Sequence, residues 1–340
     1  MKKSILLTGG AGYIGSHTAY FLAQQGYHVV IVDSYVQHQT FDPSWATVVR
    51  ADFSDQKTLV NIFKTYAIEA VMHFAAFIEV GESVTRPADF YENNVGNVFK
   101  LLRLMLEHDI KKIVFSSSCA VYGNPVRMPM DELHPTMPVS PYGRNKLMVE
   151  WALQDYAAAY DLRYVSLRYF NAAGALPDVH LGEHHQPETH LIPRLLQAIQ
   201  NNEPVTVFGN DYNTPDGTCL RDYIHVADIA QAHVLALKYL RSGAQSEVFN
   251  LGTGLGYTVK QVIDAAEVLC NKKANIQVLD RRPGDAEVLL ADPTKIKNVL
   301  GWQPHYSDLL TILSSALAWE TMRTLSASTT QQVHEQCGVV

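Results

Sequence analysis

The sequence has few cysteines, no paired cysteine motif and no long apolar run. Cys119, Cys219, Cys270 and Cys337 are scattered over 340 residues, so neither a disulfide framework nor a structural zinc site is indicated. No stretch reaches the roughly 18 apolar residues of a membrane-spanning helix, and the apolar segment near the N-terminus is too short for a signal peptide. We therefore expect a cytoplasmic protein without a membrane partner.

Clustered positive charge is also lacking. Lys and Arg number 27 against 34 Asp and Glu, a formal net charge of −7. Because nucleic-acid backbones are bound by grouped Lys and Arg side chains, this balance argues against a nucleic-acid partner. Hydrophobic residues make up 47% of the chain, as in an ordinary globular protein, and the length allows two domains or one large domain with an appended lobe.

The first half alternates short β-rich runs with helical patterns. This alternation is typical of an α/β fold with a doubly wound, Rossmann-type parallel sheet that has helices on both faces. The predicted strands are Ser4–Thr8, His28–Val32, Thr47–Val49, Ala70–His73, Lys112–Ser116 and Arg163–Arg168. The predicted helices between them are Gly15–Gln25, Gln56–Tyr66, Pro87–His108 and Tyr142–Ala159.

After Asn171 the sequence becomes rich in Gly, Pro, His and acids, which predicts a smaller C-terminal α/β substrate lobe. We expect a dinucleotide-binding domain at 1–175, the lobe at 176–325, segment 222–250 packing back on the first domain, and a flexible tail at 326–340. The elements predicted here are helices Leu191–Gln200, Val226–Leu240, Thr258–Cys270, Thr294–Val299 and Leu309–Met322, with strands Val205–Phe208 and Val248–Leu251.

A glycine-rich turn at residues 8–15 lies between the first predicted strand and helix. Gly9 and Gly12 allow a tight turn and the close approach of a pyrophosphate to the helix N-terminus, and Gly15 lets helix and strand pack closely. Asp33 ends the second strand, where an acid accepts hydrogen bonds from the adenosine ribose and repels a 2′-phosphate. The turn and the acid together favour NAD over NADP.

Other segments are candidates to line the dinucleotide. Asp52 follows the third strand and is either an adenine contact or an ordinary turn acid. Residues 73–76, His-Phe-Ala-Ala, end the fourth strand with small side chains over which a cofactor can lie closely. Asn93 and Asn94 form a polar pair in the next helix, which indicates a ligand or a buried hydrogen bond. Helix–sheet packing is the alternative for the last two segments.

Tyr142 and Lys146 carry the chemical prediction. Four residues apart, they share one helix face, and a cation there beside a positive cofactor lowers the pKa of the phenol. Such a Tyr takes a proton from a sugar or alcohol hydroxyl while hydride leaves the same carbon. A serine run, 116–118, ends the fifth strand, where ligands of open α/β sheets gather. Ser118, with Ser117 second, would bridge the reacting oxygen and Tyr142.

Charged and histidine side chains of the second half leave alternatives open. His184, His185 and His190 lie close together in sequence, but none forms a helical i, i+4 pair and no Cys is near, so no metal is expected. A loop that orders around substrate is favoured. Arg221 and Arg282 could clamp a diphosphate from the side opposite the cofactor; a surface ion pair is the alternative for either.

Together these residues resemble the extended short-chain dehydrogenase/reductase family, and within it the UDP-glucose (UDP-galactose) 4-epimerases. The resemblance runs from Ser4 to about Met322. Gly209–Val226 is its most specific part. Besides the glycine turn and the Tyr/Lys pair, the shared segments are His73–Ala75, Val80–Ser83, Tyr91–Val95, Leu167–Asn171, Phe208–Tyr212, Asp216–Thr218, Arg221–Val226 and Asn250–Gly252.

The resemblance implies reversible 4-epimerisation of UDP-glucose and UDP-galactose with a tightly held NAD. Tyr142 would take the proton of the 4-hydroxyl while hydride passes from C4 to NAD, the 4-keto sugar would turn over about its diphosphate linkage, and hydride would return from bound NADH to the opposite face. The implied catalytic residues are Tyr142, Lys146 and Ser118. A homodimer is implied, formed by the helices around Pro87–His108 and Tyr142–Ala159.

The resemblance also implies a set of binding residues, carried over by matching position. Those implied for NAD are Gly9, Gly12, Tyr13, Ile14, Gly15, Asp33, Asp52, Phe74, Ala75, Asn93, Ser116, Tyr142, Lys146, Tyr169 and Phe170. Those implied for the UDP-sugar are Ser118, Tyr142, Asn171, His190, Leu191, Phe208, Arg221, Tyr223, Arg282, Asp285 and Leu289.

The chain departs from the family pattern at a few positions. Ile78 stands where some epimerases have a Lys near the cofactor, so NAD is expected to be held less firmly. His190 occupies a position where several relatives use Asn toward the nucleotide. Leu289 occupies the position that limits room near C2 of the sugar, where a Tyr excludes N-acetyl groups and a small residue admits them.

Related activities stay open. A UDP-N-acetylhexosamine or UDP-pentose 4-epimerase would use the same chemistry, and another NAD-dependent nucleotide-sugar-modifying enzyme is a further alternative. A 4,6-dehydratase needs an Asp-Glu pair after the hydroxyl residue of the fifth strand, where this chain has Cys119 and Ala120. A non-catalytic NAD-binding protein of this fold would be marked by the loss of Tyr142 or Lys146, and both are present.

Overall fold

The structure, a computed structural model, describes residues 3–36, 41–282 and 285–337, with side chains as far as Leu325. In these residues the strands are β1 (Ser4–Thr8), β2 (His28–Asp33), β3 (Thr47–Arg50), β4 (Ile68–His73), β5 (Lys112–Ser118), β6 (Arg163–Tyr169), β7 (Asn171–Ala173), β8 (Pro204–Phe208), β9 (Leu220–His225), β10 (Glu247–Leu251), β11 (Gly256–Thr258), β12 (Asn275–Leu279) and β13 (Val288–Leu289). The α-helices are α1 (Tyr13–Gln24), α2 (Gln56–Thr65), α3 (Val80–Thr85), α4 (Pro87–Tyr91), α5 (Asn97–Glu107), α6 (Pro141–Tyr160), α7 (Leu191–Asn201), α8 (Val226–Arg241), α9 (Val259–Cys270), α10 (Thr294–Leu300) and α11 (Leu309–Cys337).

The largest sheet has seven parallel strands in the order β10-β6-β5-β4-β1-β2-β3. From β1 the chain first adds β2 and β3 on one side and then β4, β5 and β6 on the other. This reversal between β1 and β4 is the topological switch point of a doubly wound fold. The seventh strand, β10, comes from the second half of the chain and pairs with β6, with Phe249 opposite Leu167. The Rossmann-type α/β prediction is therefore confirmed.

Residues of the central strands alternate between two buried layers. Ile5 and Leu7 belong to a core shared with α1 and α8, whereas Leu6 belongs to a core shared with α2, α5 and α6. Because both faces of the strand are covered, β1 reads as a continuous apolar run rather than as an alternating one. The packing of α8 in this core joins part of the second half of the chain to the large sheet.

The predicted helix Pro87–His108 is interrupted. Between α4 and α5, residues Glu92–Gly96 form a π-helical turn. Asn94 in this turn receives a hydrogen bond at its Oδ1 from the backbone N–H of Phe77 (2.9 Å) and donates its Nδ2 to the carbonyl oxygen of Phe77 (2.9 Å). The side-chain amide thus replaces a missing strand partner for the segment that follows β4, a long-range contact that local sequence patterns do not reveal.

The remaining strands form two small sheets. β9 pairs with β7, β11 and β13, and β8 pairs with β12. The sequence predicted β8 but missed β7, β9, β11, β12 and β13. β7, β11 and β13 have only two or three residues each. β9 has six residues but carries Arg221 and Asp222, so no apolar run marks it.

Helix α11 is longer than predicted. It continues past Met322 to Cys337, so the tail expected at 326–340 is helical as far as Cys337, and its last three residues lie outside the described residues. Within the described ranges, no helix combines the length and the apolar character needed to cross a membrane.

Candidate active site

A cavity of about 900 Å³ lies where the carboxyl ends of the large sheet's strands face the small sheets. Ligands of open α/β folds bind at this edge. Every residue that the resemblance implied for NAD or for the UDP-sugar lines the cavity. Three further candidates from the sequence, His73, Asn94 and Ser117, are not among the residues that line it. The geometry therefore brings the candidate residues of both halves of the chain into one place.

At Gly9 and Gly15 the glycine turn leaves no room for a side chain. Gly9 has a φ of +68°, and a Cβ there would lie 2.5 Å from the backbone nitrogen of Ala75. A Cβ on Gly15 would lie 2.3 Å from the carbonyl oxygen of Gly9. The turn thereby places the N-terminus of α1 beside the cavity without side chains in between, as a pyrophosphate site requires.

The acid at the end of β2 is held against this turn. Asp33 accepts hydrogen bonds from the backbone N–H of Ala11 (3.0 Å) and of Tyr35 (2.9 Å), one at each carboxylate oxygen. Its carboxylate is buried and lines the cavity. Turn, helix terminus and acid are the donor and acceptor set that an adenosine ribose and a pyrophosphate need, so these residues fit NAD.

Tyr142, Lys146 and Ser118 meet at the centre of the cavity. α6 starts at Pro141, and Ser140 caps it by accepting the backbone N–H of Gly143 (3.1 Å), which puts Tyr142 and Lys146 in its first two turns. The Nζ of Lys146 donates to the carbonyl oxygen of Ser116 (2.8 Å) and lies 5.6 Å from the centre of the Tyr142 ring.

Burial dominates the pKa values of this pair. It raises the pKa of Tyr142, and the hydrogen bond with Ser118 offsets only part of that increase. Burial lowers the pKa of Lys146 to about 7, against the opposing charge of Glu150. The lowered phenol pKa expected from the sequence depends on the positive charge that a bound cofactor would bring, and it stays a prediction.

The serine run separates into two roles. Ser117 is fully buried and donates its hydroxyl to Glu150 (2.5 Å), the carboxylate that also binds the guanidinium of Arg168. Ser118 lines the cavity and accepts the backbone N–H of Ala120 (3.1 Å). Because successive residues of a strand face opposite sides, this geometry favours Ser118 over Ser117 as the hydroxyl beside Tyr142.

Two arginines converge on one wall of the cavity. Arg221 in β9 and Arg282 both bind the carboxylate of Asp285, and the Arg282 guanidinium lies 4.7 Å from the centre of the Phe208 ring. Arg221 is buried rather than on the surface, so the alternative of a surface ion pair does not hold for it. Arg282 is largely exposed, so for it the diphosphate contact and the surface ion pair both stay predictions.

The histidine loop is more ordered than the sequence suggested. Glu183, His185, Glu188 and His190 come together with their potential ligand atoms within 4.8 Å of one another, while His184 lies beside Gln186. Glu183 is buried, and the Nδ1 atoms of His190 and His185 both face its Oε1. Direct contacts between these side chains account for the arrangement, and the expected absence of a metal stays a prediction.

Several cavity residues were not singled out from the sequence. Phe53, Phe77, Asn124, Thr206 and Cys219 all line the cavity. Their residue types carry no chemical signature. Only their place after a strand end or within a strand of the smaller sheets could have indicated them.

A dinucleotide turn, a buried Tyr–Lys pair and a serine on the neighbouring strand end define a short-chain dehydrogenase/reductase type of site. Residues 5–252 match the model of the NAD dependent epimerase/dehydratase family. The chain belongs to this family.

Full-length relatives agree with the family match. The chain is 48% identical over 317 residues to a UDP-glucose 4-epimerase of Halalkalibacterium halodurans, which covers 93% of this chain and 95% of that protein. It resembles the crystal structure of UDP-glucose 4-epimerase from Brucella ovis in complex with NAD, with 46% identity, a TM-score of 0.90 and coverage of 93% and 98%. The UDP-glucose 4-epimerase from Bifidobacterium longum in complex with NAD⁺ and UDP is 37% identical, with a TM-score of 0.87 and coverage of 94% and 98%.

The glycine turn yields a first prediction. Gly15→Ala is expected to weaken NAD binding by at least about 10-fold, because the added methyl group would force the turn away from α1. Gly81→Ala is the matched control, since Gly81 also lines the cavity and no atom lies within 4 Å of its added Cβ. Equilibrium dialysis of NAD measures both variants. Equal losses would contradict the role given to the turn.

Proposed function

We propose that the protein interconverts UDP-glucose and UDP-galactose by NAD-dependent 4-epimerisation. The observation that carries this proposal is the cavity itself, which is lined by the glycine turn with Asp33, by the paired arginines and by Tyr142. Nearly full-length similarity to UDP-glucose 4-epimerases supports it.

In this reaction bound NAD and the residues around the sugar have separate roles. Bound NAD supplies reversible oxidation at C4 of the sugar. The phenolate of Tyr142 accepts the proton of the 4-hydroxyl and returns it when the sugar is reduced again, so Tyr142 ends each turnover unchanged. Ser118 donates a hydrogen bond that orients the reacting oxygen. Lys146, whose Nζ is fixed by the carbonyl of Ser116, supplies the neighbouring positive charge.

The residues on the arginine side of the cavity hold the nucleotide of the substrate rather than its sugar. Arg221 and Arg282 are positioned by Asp285 to bind the diphosphate. Asn171 is fixed by its donation to the carbonyl oxygen of Asp222 (2.9 Å), and Phe208 contributes an aromatic surface under Arg282. Firm anchoring at the nucleotide leaves the oxidised sugar ring free to turn over, which inversion at C4 requires.

The first test is conversion of UDP-galactose to UDP-glucose without added NAD. Tyr142→Phe is expected to keep the fold and NAD but to lose turnover by at least about 10²-fold, the usual contribution of a positioned acid–base group. Tyr160→Phe, at the exposed end of the same helix, is the control. No conversion by NAD-loaded wild-type protein would overturn the proposed function. A Tyr142→Phe variant with more than about half of the wild-type activity would remove Tyr142 from the mechanism.

Cofactor retention gives a separate prediction. The purified protein is expected to carry NAD, released on denaturation, but at less than full occupancy because Ile78 puts an apolar side chain at the cavity wall. Ile78→Lys is expected to raise the occupancy by adding a donor near the dinucleotide. Chromatography of the released nucleotide measures both. Release of NADP alone would contradict the role given to Asp33.

Leu289 is proposed to set the substrate range. It lies in β13 opposite Arg221 and packs beside the core of Val121, Tyr122 and Phe170. A Leu side chain is shorter than a Tyr side chain, which extends further by half of its ring. The cavity therefore has more room near C2 of the sugar than a cavity with Tyr at this position. UDP-N-acetylglucosamine is therefore expected to be turned over about 10- to 200-fold less efficiently than UDP-glucose, the range of a modest pocket misfit.

Leu289→Tyr is expected to abolish activity on the N-acetyl substrate and to spare UDP-glucose. Comparison of kcat/KM for both substrates in both proteins decides this. Parallel loss of both activities, or a wild type without N-acetyl activity, would show that Leu289 does not control access. A UDP-pentose substrate, which lacks the hydroxymethyl group, is assayed alongside.

A homodimer is proposed through the helices around α4, α5 and α6. Phe99 on α5 and Trp151 on α6 are large apolar side chains exposed to solvent, as helices of a subunit interface would have. Light scattering at micromolar concentration is expected to give the mass of a dimer, and Trp151→Glu that of a monomer. Val268→Glu, at an exposed position on α9, should leave the mass unchanged. A monomeric wild type would refute the proposal.

A further inference from the structure

The loop before α7 is fixed from several directions. A Cβ on Gly182 would lie 2.3 Å from the ring of Trp319, and Trp319 donates its Nε1 to the carbonyl oxygen of Glu183 (2.7 Å). The His185 ring packs edge-on against Tyr13 of the glycine turn, with ring centres 6.5 Å apart. The loop that carries Glu183 therefore packs against both Tyr13 of the glycine turn and Trp319 of α11.

His190 is held at both its backbone and its ring. Glu188 accepts the backbone N–H groups of Thr189 (2.7 Å) and His190 (2.8 Å). The ring Nδ1 of His190 is hydrogen-bonded to Oε1 of Glu183. His190 lines the cavity, and its side chain is exposed to 48%. With Nδ1 engaged, Nε2 is the ring nitrogen left for a ligand in the cavity.

We propose that Glu183 is a positioning residue that fixes His190 as a hydrogen-bond donor and positive charge for the diphosphate of the UDP-sugar. This inference rests on the proposed function for the identity of the ligand. His190 would then complement the arginine pair, Arg221 and Arg282, by adding a third cation to the nucleotide site. Glu183 would act only through His190 and would not touch the substrate.

The charges around His190 favour its protonated form. Acids face it from its own loop, Glu183 and Glu188, and from the segment before α3, Glu79; His185 lies beside it with ring centres 5.3 Å apart. Burial alone lowers the pKa of His190, but the hydrogen bond to Glu183 and these negative charges outweigh it and raise the pKa to about 8. At neutral pH the ring is therefore mostly an imidazolium, which donates from both nitrogens.

The Glu183 carboxylate, which stabilises the protonated ring of His190, stays ionised. Burial raises the pKa of Glu183, but its hydrogen bonds with His185 and His190 outweigh that effect and leave the pKa below its ordinary value. The neighbouring Glu188 is affected in the opposite direction, since burial and the charge of Glu183 raise its pKa. Glu183 is thus the anion that holds the imidazolium.

The experiment measures UDP binding by titration calorimetry between pH 6 and 9.5 on the NAD-loaded protein. Wild-type affinity is expected to fall about 10-fold as His190 loses its proton above pH 8, the scale of one charge-assisted hydrogen bond. In Glu183→Gln the fall should move to lower pH by about one unit or more, toward the ordinary histidine value. At pH 7.5 that variant should bind UDP several-fold more weakly, with the loss in turnover falling mainly on KM.

A second substitution separates positioning from a structural role. His190→Asn should bind UDP without this pH dependence, and adding Glu183→Gln to it should cause no further loss. If Glu183→Gln weakens UDP equally with and without His190, or weakens uridine as much as UDP, Glu183 only maintains the loop and the proposal is wrong. A wild-type affinity that is flat through pH 8 would overturn it as well.

Two further outcomes are distinguishable. If UDP affinity falls on chelation with EDTA and returns with Zn²⁺, the four side chains hold an ion, and the proposal is wrong. If UDP binds with the expected pH dependence but the protein does not epimerise UDP-galactose, the inference about Glu183 stands and the proposed function fails.

Discussion

The fully buried carboxylate of Asp222 holds the two sides of the cavity together. Its Oδ1 accepts the backbone N–H (2.9 Å) and the hydroxyl (2.7 Å) of Thr253, and its Oδ2 accepts the backbone N–H of Gly254 (3.0 Å) and of Ala291 (3.2 Å). Thr253 and Gly254 follow β10 of the large sheet, and Ala291 follows β13 of the smaller one. A buried charge is tolerated only when its hydrogen bonds are satisfied, and here they are satisfied by joining two sheets. The alternation of β9 then turns Arg221 and Tyr223, on either side of Asp222, toward the cavity.

The hydrogen bonds of Asp222 join two sheets of different character, and the cavity therefore has two unlike walls. The large sheet contributes backbone geometry, a glycine turn and strand ends, where side chains are small or absent. The smaller sheets and the segment between β12 and β13 contribute long charged and aromatic side chains, Arg221 and Phe208 from the sheets and Arg282 from the segment. A dinucleotide is bound by the first kind of surface and a nucleoside diphosphate by the second. The proposed epimerase mechanism needs both ligands with their reacting ends at one point, and Tyr142 lines the cavity that both surfaces share.

Local patterns predicted most strands in the first half of the chain but few in the second half. β1, β2 and β4 carry mostly buried apolar runs, so their existence, though not their exact ends, follows from sequence. β9 reads Leu-Arg-Asp-Tyr-Ile-His, and its polar residues are paired only by segments far along the chain, such as Thr253 and Asp285. The π-helical turn is likewise set by the long-range contact of Asn94 with Phe77. Candidate site residues were predictable where a motif has a chemical reason. Glu183 was not, because its role depends on His185, His190 and Trp319 together.

Tyr142 and Lys146 are buried, and a charge-compensated carboxylate, Glu150, lies near them. Glu150, one helical turn after Lys146, is fully buried, yet the fork of Arg168 and the hydroxyl of Ser117 satisfy it. Glu150 only partly opposes the effect of burial on Lys146, whose pKa is lowered to about 7. Lys146 can therefore change its protonation with small changes in its surroundings, and Tyr142, whose pKa is raised by the same burial, responds to any positive charge that enters. A positive charge bound beside Tyr142 would therefore favour its phenolate through Coulombic attraction alone, without any movement of the strands that hold the pair.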